Sequence, residues 1–155
     1  MRKQYRYDDI EALQEIVTED FGPWSESLEI SQSMIDTFAD LTGDHNWIHT
    51  DVGRCETESP FGSTIAHGFL SLVMIPRILP PKDYDIVGYS SAINGGSDRL
   101  RFTAPVPVGS KIHARSRVTA VAGSDKGTRV EGETHIHVVG SERPSVVYGM
   151  VYRYL

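Results

Sequence analysis

The chain has a single cysteine, Cys55, among its 155 residues. One thiol cannot form an intramolecular disulfide, so a disulfide-stapled fold is excluded and a reducing compartment, the cytoplasm, is predicted. Basic residues are also scarce, since 15 Lys and Arg stand against 21 Asp and Glu and leave a net charge of −6. A protein that binds nucleic acid needs a basic surface to neutralise phosphates, so no nucleic-acid partner is expected.

Long hydrophobic runs are missing as well. The longest apolar stretch, Phe69 to Leu79, is interrupted by Ser71, Pro76 and Arg77 and is too short to cross a bilayer. The basic start of the chain has no apolar stretch behind it, which argues against a signal peptide. We therefore predict a soluble cytoplasmic protein with no membrane partner, built as a single domain over residues 1–155.

The first half of the chain shows helical spacing. One helix is predicted to start after Ser31 or Ser33 and to end at Gly43. Its apolar face repeats at positions i, i+4 and i+7, namely Met34, Phe38 and Leu41. The later segment TIAHGFLSLVMIP, Thr64 to Pro76, is apolar on nearly every side, which predicts a long helix that is buried all round. Ser63 and Thr64 are predicted to cap it.

The second half is predicted to form strands separated by turns. The predicted strands are Ile86–Asn94, Arg99–Thr103, Lys111–Ala122, Thr128–Val139 and Ser145–Tyr154. Between two of them the loop GSDKG predicts a hairpin. Pairing outward from that loop sets Arg117 near Glu133 and Thr119 near Glu131 on a solvated face. His135 and His137 are predicted to lie at the surface.

These elements predict an α+β fold in which an antiparallel sheet wraps around the long central helix. Such a sheet needs its edges covered, and a helix that is apolar all round needs apolar partners on every side. A homodimer, or a higher homo-oligomer, is the simplest way to meet both needs.

Polar, proton-active residues are concentrated in the stretch DHNWIHTDVG, which directly follows the predicted first helix. The run FADLTGDHNWIH and the later FGSTIAHGFL together resemble the paired motifs of MaoC-like dehydratases. That family includes the (R)-specific enoyl-CoA hydratases of the hydratase-2 type and has the hot-dog fold. The matching positions, in order and spacing, are Asp44, Asn46, His49, Phe61, Ile65, His67 and Gly68. The segment FTAPVPVGSKIHARSRV also resembles the family, and the closer likeness is to its single-domain members related to nodulation protein N.

The resemblance implies addition of water to a trans-2-enoyl thioester, or the reverse dehydration of a 3-hydroxyacyl thioester. By this resemblance Asp44 and His49 hold the catalytic water and share the acid and base roles. Their ordinary pKa values, about 3.9 and about 6.5, suit such a pair near neutral pH. Gly68 would offer its backbone N–H to the thioester carbonyl at a helix start, where free N–H groups and the positive dipole end favour an anion. The substrate would be an acyl-CoA or an acyl carrier protein thioester.

Other residues of the two motifs have supporting roles. Asn46 is expected to brace its loop through bonds to the backbone. His67 is expected to act as a structural hydrogen-bonding group beneath the site. His45 and His49 are four residues apart, a spacing that suits metal ligands on a helix, but Gly43 argues against a helix there and no Cys- or His-rich segment follows. No metal and no cofactor are therefore expected.

The sequence departs from the family pattern at two positions. Trp47 stands where the family usually has a proline between Asn and His, and a ring of this size is expected to reshape or narrow the entrance. Val73 stands where some members place a serine.

Two other functions fit the same fold. A hot-dog acyl-CoA thioesterase often draws a carboxylate from the central helix, but TIAHGFLSLVMI contains none, which argues against hydrolysis. A non-catalytic module that binds acyl thioesters would need neither Asp44 nor His49, so substitution of these residues separates it from an enzyme.

Overall fold

The computed structural model describes all 155 residues. The helices are α1 (Ile10–Leu13), α2 (Gln32–Thr42), α3 (Trp47–Thr50), α4 (Val52–Glu58) and α5 (Gly68–Val73), and short 3₁₀ turns cover Gln14–Ile16 and Ile75–Arg77. The strands are β1 (Lys3–Arg6), β2 (Leu28–Glu29), β3 (Tyr84–Val87), β4 (Ala92–Phe102), β5 (Lys111–Ser124), β6 (Gly127–Val138) and β7 (Val146–Tyr154). None of the helices is long and apolar enough to cross a membrane.

The main sheet has five antiparallel strands in the order β2-β5-β6-β7-β4. A second sheet pairs β1 with β3 in parallel. The predicted hairpin is present, with Arg117 opposite Glu133 in the β5–β6 register. A bulge at Thr119 shifts the register, so Ala120 faces Glu131 in place of the predicted Thr119. The bounds of two predicted strands also differ from those observed. The predicted strand Ile86–Asn94 contains the loop between β3 and β4, and the predicted strand Arg99–Thr103 coincides with the end of β4.

The core lies on one face of the main sheet. Ile30, Ile35, Leu70, Ile75, Ile78, Ile112, Ala114, Ile136 and Val146 are its main buried members. Helix α2 begins after Ser31, whose hydroxyl accepts from the Met34 N–H, and Gly43 ends it in the left-handed conformation, as predicted. Its buried face carries Ile35 and Ala39, whereas the predicted Leu41 is 81 % exposed.

The helix after the second motif is shorter than predicted. Helix α5 spans six residues, Gly68–Val73, and passes directly into a 3₁₀ turn that contains Pro76. The preceding segment is extended, since the Ala66 N–H donates to the Val106 carbonyl and the Val108 N–H to that of Thr64. The prediction of a helix buried all round is also wrong, because Phe69 and Val73 are half exposed. Ser63 and Thr64 therefore do not cap it; His67 precedes its first residue without a side-chain cap bond.

Residues 18–25, which we call the edge strap, run along the edge of β5 and cover part of the other face of the main sheet. The amides of the edge strap donate to carbonyls along β5: Thr18 to Val118, Gly22 to Ser116 and Ser25 to Ala114. Phe21 and Trp24 fold over that face, where the Trp24 ring stacks on His113 at 3.9 Å. The predicted surface position of His137 is wrong, because this histidine is 2 % exposed and touches the edge of Trp24.

The first residue of β6, a glycine directly after the β5–β6 turn, provides a test of the packing between this end of β6 and the last strand. Gly127 has φ +95° and lies so close to β7 that an added Cβ would be 2.2 Å from the Tyr154 carbonyl oxygen. Gly127→Ala is expected to lower the free energy of unfolding by about 2 kcal/mol or more, from backbone strain and the clash together. Urea unfolding measures the loss. Gly140→Ala is the matched control, since it has φ +89° and open space around it; equal losses in the two variants would contradict the clash.

Candidate active site

Local capping interactions shape the loop after α2. The Asp44 carboxylate accepts from the Asn46 N–H at 3.3 Å, and the Asn46 side chain accepts from the Ile48 N–H at 3.3 Å. Asn46 thereby caps α3, which agrees with its predicted bracing role. His49 is the third residue of this four-residue helix. The short helix places His49 in the interior, where it is buried, whereas Asp44 remains exposed to solvent.

The His49 ring is held by a backbone carbonyl. Its Nδ1 lies 2.7 Å from the Ile65 oxygen, and a carbonyl only accepts, so Nδ1 carries the proton and Nε2 keeps a free lone pair. The residue is 8 % exposed, and burial lowers the pKa of His49 below its ordinary value. The Ile65 bond and the Asp44 charge act in the opposite direction, while His67 lowers the pKa further. Burial is the largest cause, so His49 is neutral at pH 7.

His67 lies beneath His49 and is buried. Its Nε2 donates to the Asp44 backbone carbonyl at 2.9 Å, and this bond links the loop after α2 to the start of α5. The rings of His49 and His67 stack with centroids 3.8 Å apart, and the Phe38 ring lies 5.0 Å from that of His67.

Asp44, His49 and His67 are brought together at one place. One ligand atom from each, a ring nitrogen of either histidine and a carboxylate oxygen of Asp44, lies within 4.8 Å of the other two, and the Asp44 Oδ2 is 4.0 Å from the His67 Nε2. Two histidines and a carboxylate are metal-binding residue types, but this geometry does not suit a metal ion. Each ring commits one nitrogen to a backbone carbonyl, and the stacked rings are tilted by only 26°. Their remaining lone pairs therefore lie in nearly parallel planes and do not converge on one point.

Gly68 is the first residue of α5 and packs against Phe102 from β4. A Cβ added to Gly68 would lie 2.7 Å from the Phe102 Cδ1. The absence of a side chain thus lets an aromatic ring close over the start of the helix. The Ser63 hydroxyl bonds to the Thr64 carbonyl at 3.0 Å, so Ser63 shapes the entry to this segment and does not reach the helix.

A cleft of about 320 Å³ connects His49 with Gly68. Its walls are mainly apolar and come from the segment before α5, the end of β4, the segment after it and the start of β7: Phe61, Ile65, Ala66, Phe102, Ala104, Pro105, Val106 and Val146. Ser71 and Ser145, both buried, also line it, and neither was anticipated from the sequence. Ser71 could have been found from its i, i+3 spacing to Gly68 on the helix.

A larger cavity of about 700 Å³ lies elsewhere, between the N-terminal strand, the edge strap and β5. It contains none of Asp44, His49, His67 or Gly68. The smaller cleft is therefore the candidate active site, since it joins a free imidazole nitrogen to a helix start.

The two departures from the motif pattern lie outside the cleft. Trp47 packs under the Arg54 guanidinium, 4.1 Å from the ring centroid, and does not line the cleft as the expected narrowing of the entrance would require. Val73 is half exposed on α5 and does not line it either.

The protonation state of His49 can be measured directly. We expect an NMR titration of the ¹⁵N-labelled imidazoles to place the pKa of His49 below the ordinary value of about 6.5, with the proton of the neutral ring on Nδ1. A midpoint above that value, or a proton on Nε2, would contradict the role of burial and of the Ile65 carbonyl.

Comparison with known proteins gives a consistent result. The MaoC like domain family matches residues 20–139. The 3-hydroxyacyl-thioester dehydratase Z of Mycobacterium tuberculosis is 42 % identical over 132 residues, which cover 84 % of this chain and 86 % of that protein. Nodulation protein N of Rhizobium meliloti is 44 % identical over 95 residues, 59 % of this chain and 56 % of that protein.

Among solved structures, an (R)-hydratase from A. caviae superposes with a TM-score of 0.67 at 25 % identity. The match covers 88 % of this chain and 97 % of that one. The family and the hot-dog fold predicted from the two motifs are confirmed: the chain belongs to the MaoC like domain family.

Proposed function

We propose that this protein is an (R)-specific 3-hydroxyacyl-thioester dehydratase that also runs the reverse hydration of trans-2-enoyl thioesters. The neutral His49 carries the proposal: its Nε2 is free, it lines the cleft, and one of its ring nitrogens lies within 4.8 Å of an Asp44 carboxylate oxygen. The similarity to a dehydratase over most of both chains supports it. The substrate is an acyl-CoA or an acyl carrier protein thioester, and one domain over residues 1–155 holds the whole site.

In the dehydration, a proton leaves C2 and a hydroxide leaves C3, and together they form the product water. Asp44 and His49 share these proton transfers: one of them, the unprotonated His49 Nε2 or the Asp44 carboxylate, accepts the C2 proton, and the same proton then passes through the pair to the hydroxide that leaves C3. The geometry supports such sharing, because His49 has an unprotonated Nε2 and one of its ring nitrogens lies within 4.8 Å of a carboxylate oxygen of the exposed Asp44. In hydration the same pair holds the attacking water and returns a proton to C2.

Loss of the C2 proton places negative charge on the thioester oxygen. Gly68 supplies its backbone N–H to that oxygen at the start of α5, where helix amides have no partner within the helix. No side chain caps this helix start. The apolar cleft walls exclude water and strengthen these interactions.

We also propose that the protein works as a homodimer. Strand β4 is the outer strand of the main sheet, and its free edge is a template for pairing with another chain. Phe69, Val73, Ile93 and Phe102 form a half-exposed apolar surface on β4 and α5. Two copies related by a two-fold axis would pair their β4 strands and cover this surface, including the exposed side of α5.

Substitution of the Asp/His pair tests the enzyme. Asp44→Asn and His49→Gln are each expected to lower turnover of crotonyl-CoA by at least about a hundredfold, since a positioned acid or base contributes roughly 10²–10⁴-fold. Loss of the conjugated-thioester absorbance measures hydration. Asp51→Asn and His45→Gln are matched controls from the same segment, because Asp51 only caps α4 and His45 is exposed.

The outcomes separate the alternatives. Release of free thiol in place of hydration would favour a thioesterase. Tight acyl-CoA binding without turnover by the wild-type protein would indicate a non-catalytic module, and wild-type turnover in both variants would contradict the roles of Asp44 and His49.

Sedimentation equilibrium tests the dimer. The wild-type protein is expected at twice its chain mass of 17.2 kDa, and Ile93→Lys is expected to shift it toward monomer, because a charge would enter the paired edge. Val139→Lys is the control, since Val139 has the same 48 % exposure but lies in the turn after β6. A dimer unchanged by Ile93→Lys would argue against pairing through β4.

A further inference from the structure

The Gln32 side chain, at the first turn of α2, links three segments that meet at the site. Its Nε2 donates to the His49 backbone carbonyl at 2.8 Å and to the Asp36 Oδ1 at 2.9 Å. Its Oε1 accepts from the Thr64 hydroxyl at 2.6 Å. Both donors of the amide group and one lone pair of its oxygen are therefore used.

The partners fix which way the amide points. The His49 carbonyl and the Asp36 carboxylate can only accept, so both require the NH₂ end of the amide. The Thr64 hydroxyl then donates to the opposite end. Because Thr64 is 1 % exposed, water does not replace this bond without opening the structure.

The segments that Gln32 joins carry the two halves of the active site. Helix α3, with His49, has only four residues, and a helix of this length is not stable by itself. Its position depends on bonds to other elements, and one pair of these runs to Ile65: the Ile65 N–H donates to the Ile48 carbonyl, and the Ile65 carbonyl accepts from His49. Thr64 precedes Ile65, and the chain then runs through His67 to Gly68.

We infer that Gln32 is a positioning residue, which sets the separation between the His49 imidazole and the first amide of α5 by bonding to the His49 backbone and to Thr64 at once. The inference rests on the proposed function, because it assigns Gln32 to the geometry of that reaction. Gln32 does not touch the reacting atoms. It acts through the two segments that do.

Loss of the Gln32 bonds to the His49 carbonyl and to Thr64, which we call the Gln32 clamp, is expected to change the kinetics in a specific way. A displacement of about 1 Å at a reacting group costs up to a hundredfold in rate, so Gln32→Met is expected to lower kcat by about 10- to 100-fold and to leave KM unchanged. Methionine keeps the length of the side chain but forms neither bond. Thr64→Val is expected to act in the same direction, and Thr64→Ser, which keeps the hydroxyl, is expected to retain wild-type activity.

The pH profile distinguishes positioning from general stability. Burial is the main reason that the pKa of His49 is low, and the nearby Asp44 and His67 charges act in opposite directions. When α3 moves outward, His49 gains water and its pKa rises toward the ordinary value. The acid limb of kcat/KM, below which His49 is protonated and inactive, is therefore expected at higher pH in Gln32→Met than in the wild type.

The experiment compares kcat, KM and the acid limb for the wild type, Gln32→Met, both Thr64 variants and Gln14→Met, with thermal unfolding of each. Gln14 is the matched control: its amide donates to the Val121 carbonyl at 3.1 Å, far from the site. Equal losses of activity and stability in Gln32→Met and Gln14→Met would overturn the inference. Wild-type kinetics in Gln32→Met beside an inactive Asp44→Asn would also overturn it while leaving the proposed function standing.

An inactive wild-type protein would count against the proposed function alone. In that case the NMR titration of His49, which needs no substrate, tests the inference about Gln32. A His49 pKa that rises in Gln32→Met and stays at the wild-type value in Gln14→Met supports the clamp, and an unchanged value in both overturns it.

Discussion

The hydrogen bond from the His49 Nδ1 to the Ile65 carbonyl sets most of what this site can do. It orients a ring on a helix too short to hold its own position, and it leaves Nε2 unprotonated on a residue that lines the cleft. The same contact fixes the spacing between the loop after α2 and the segment that enters α5. Because Ile65 lies three residues before Gly68, the His49 imidazole and the helix start are positioned by one short piece of backbone.

Burial and charge have opposite effects at His49, and burial decides the result. The ring is almost fully removed from water and stacks on a second buried imidazole, so the charged form is disfavoured despite the nearby Asp44 carboxylate. Asp44 itself stays exposed at the mouth. A buried, neutral imidazole and an exposed carboxyl group thus lie side by side, because one faces the core and the other faces solvent.

The sequence was least informative where a segment's character depended on its neighbours. Thr64 to Pro76 is apolar, which predicted a long helix, but its first residues are extended because their backbone bonds go to Val106 and Val108. His137 alternates with buried residues on β6, which predicted exposure, but the edge strap places Trp24 over it. The periodicity of β6 alone does not indicate that the edge strap, about a hundred residues earlier in the chain, covers this position.

The sequence by itself determined the family, the end of α2 at Gly43 and the β5–β6 hairpin with Arg117 opposite Glu133. These follow from local signals: a left-handed glycine, alternation along two strands, and paired motifs at fixed spacing. Only the tertiary structure decided that Gln32 and Thr64 meet, that His67 bonds to the Asp44 carbonyl, and that Phe102 closes over Gly68. Each of these contacts joins residues more than 20 positions apart, and no pattern along the chain encodes a distance that only packing creates.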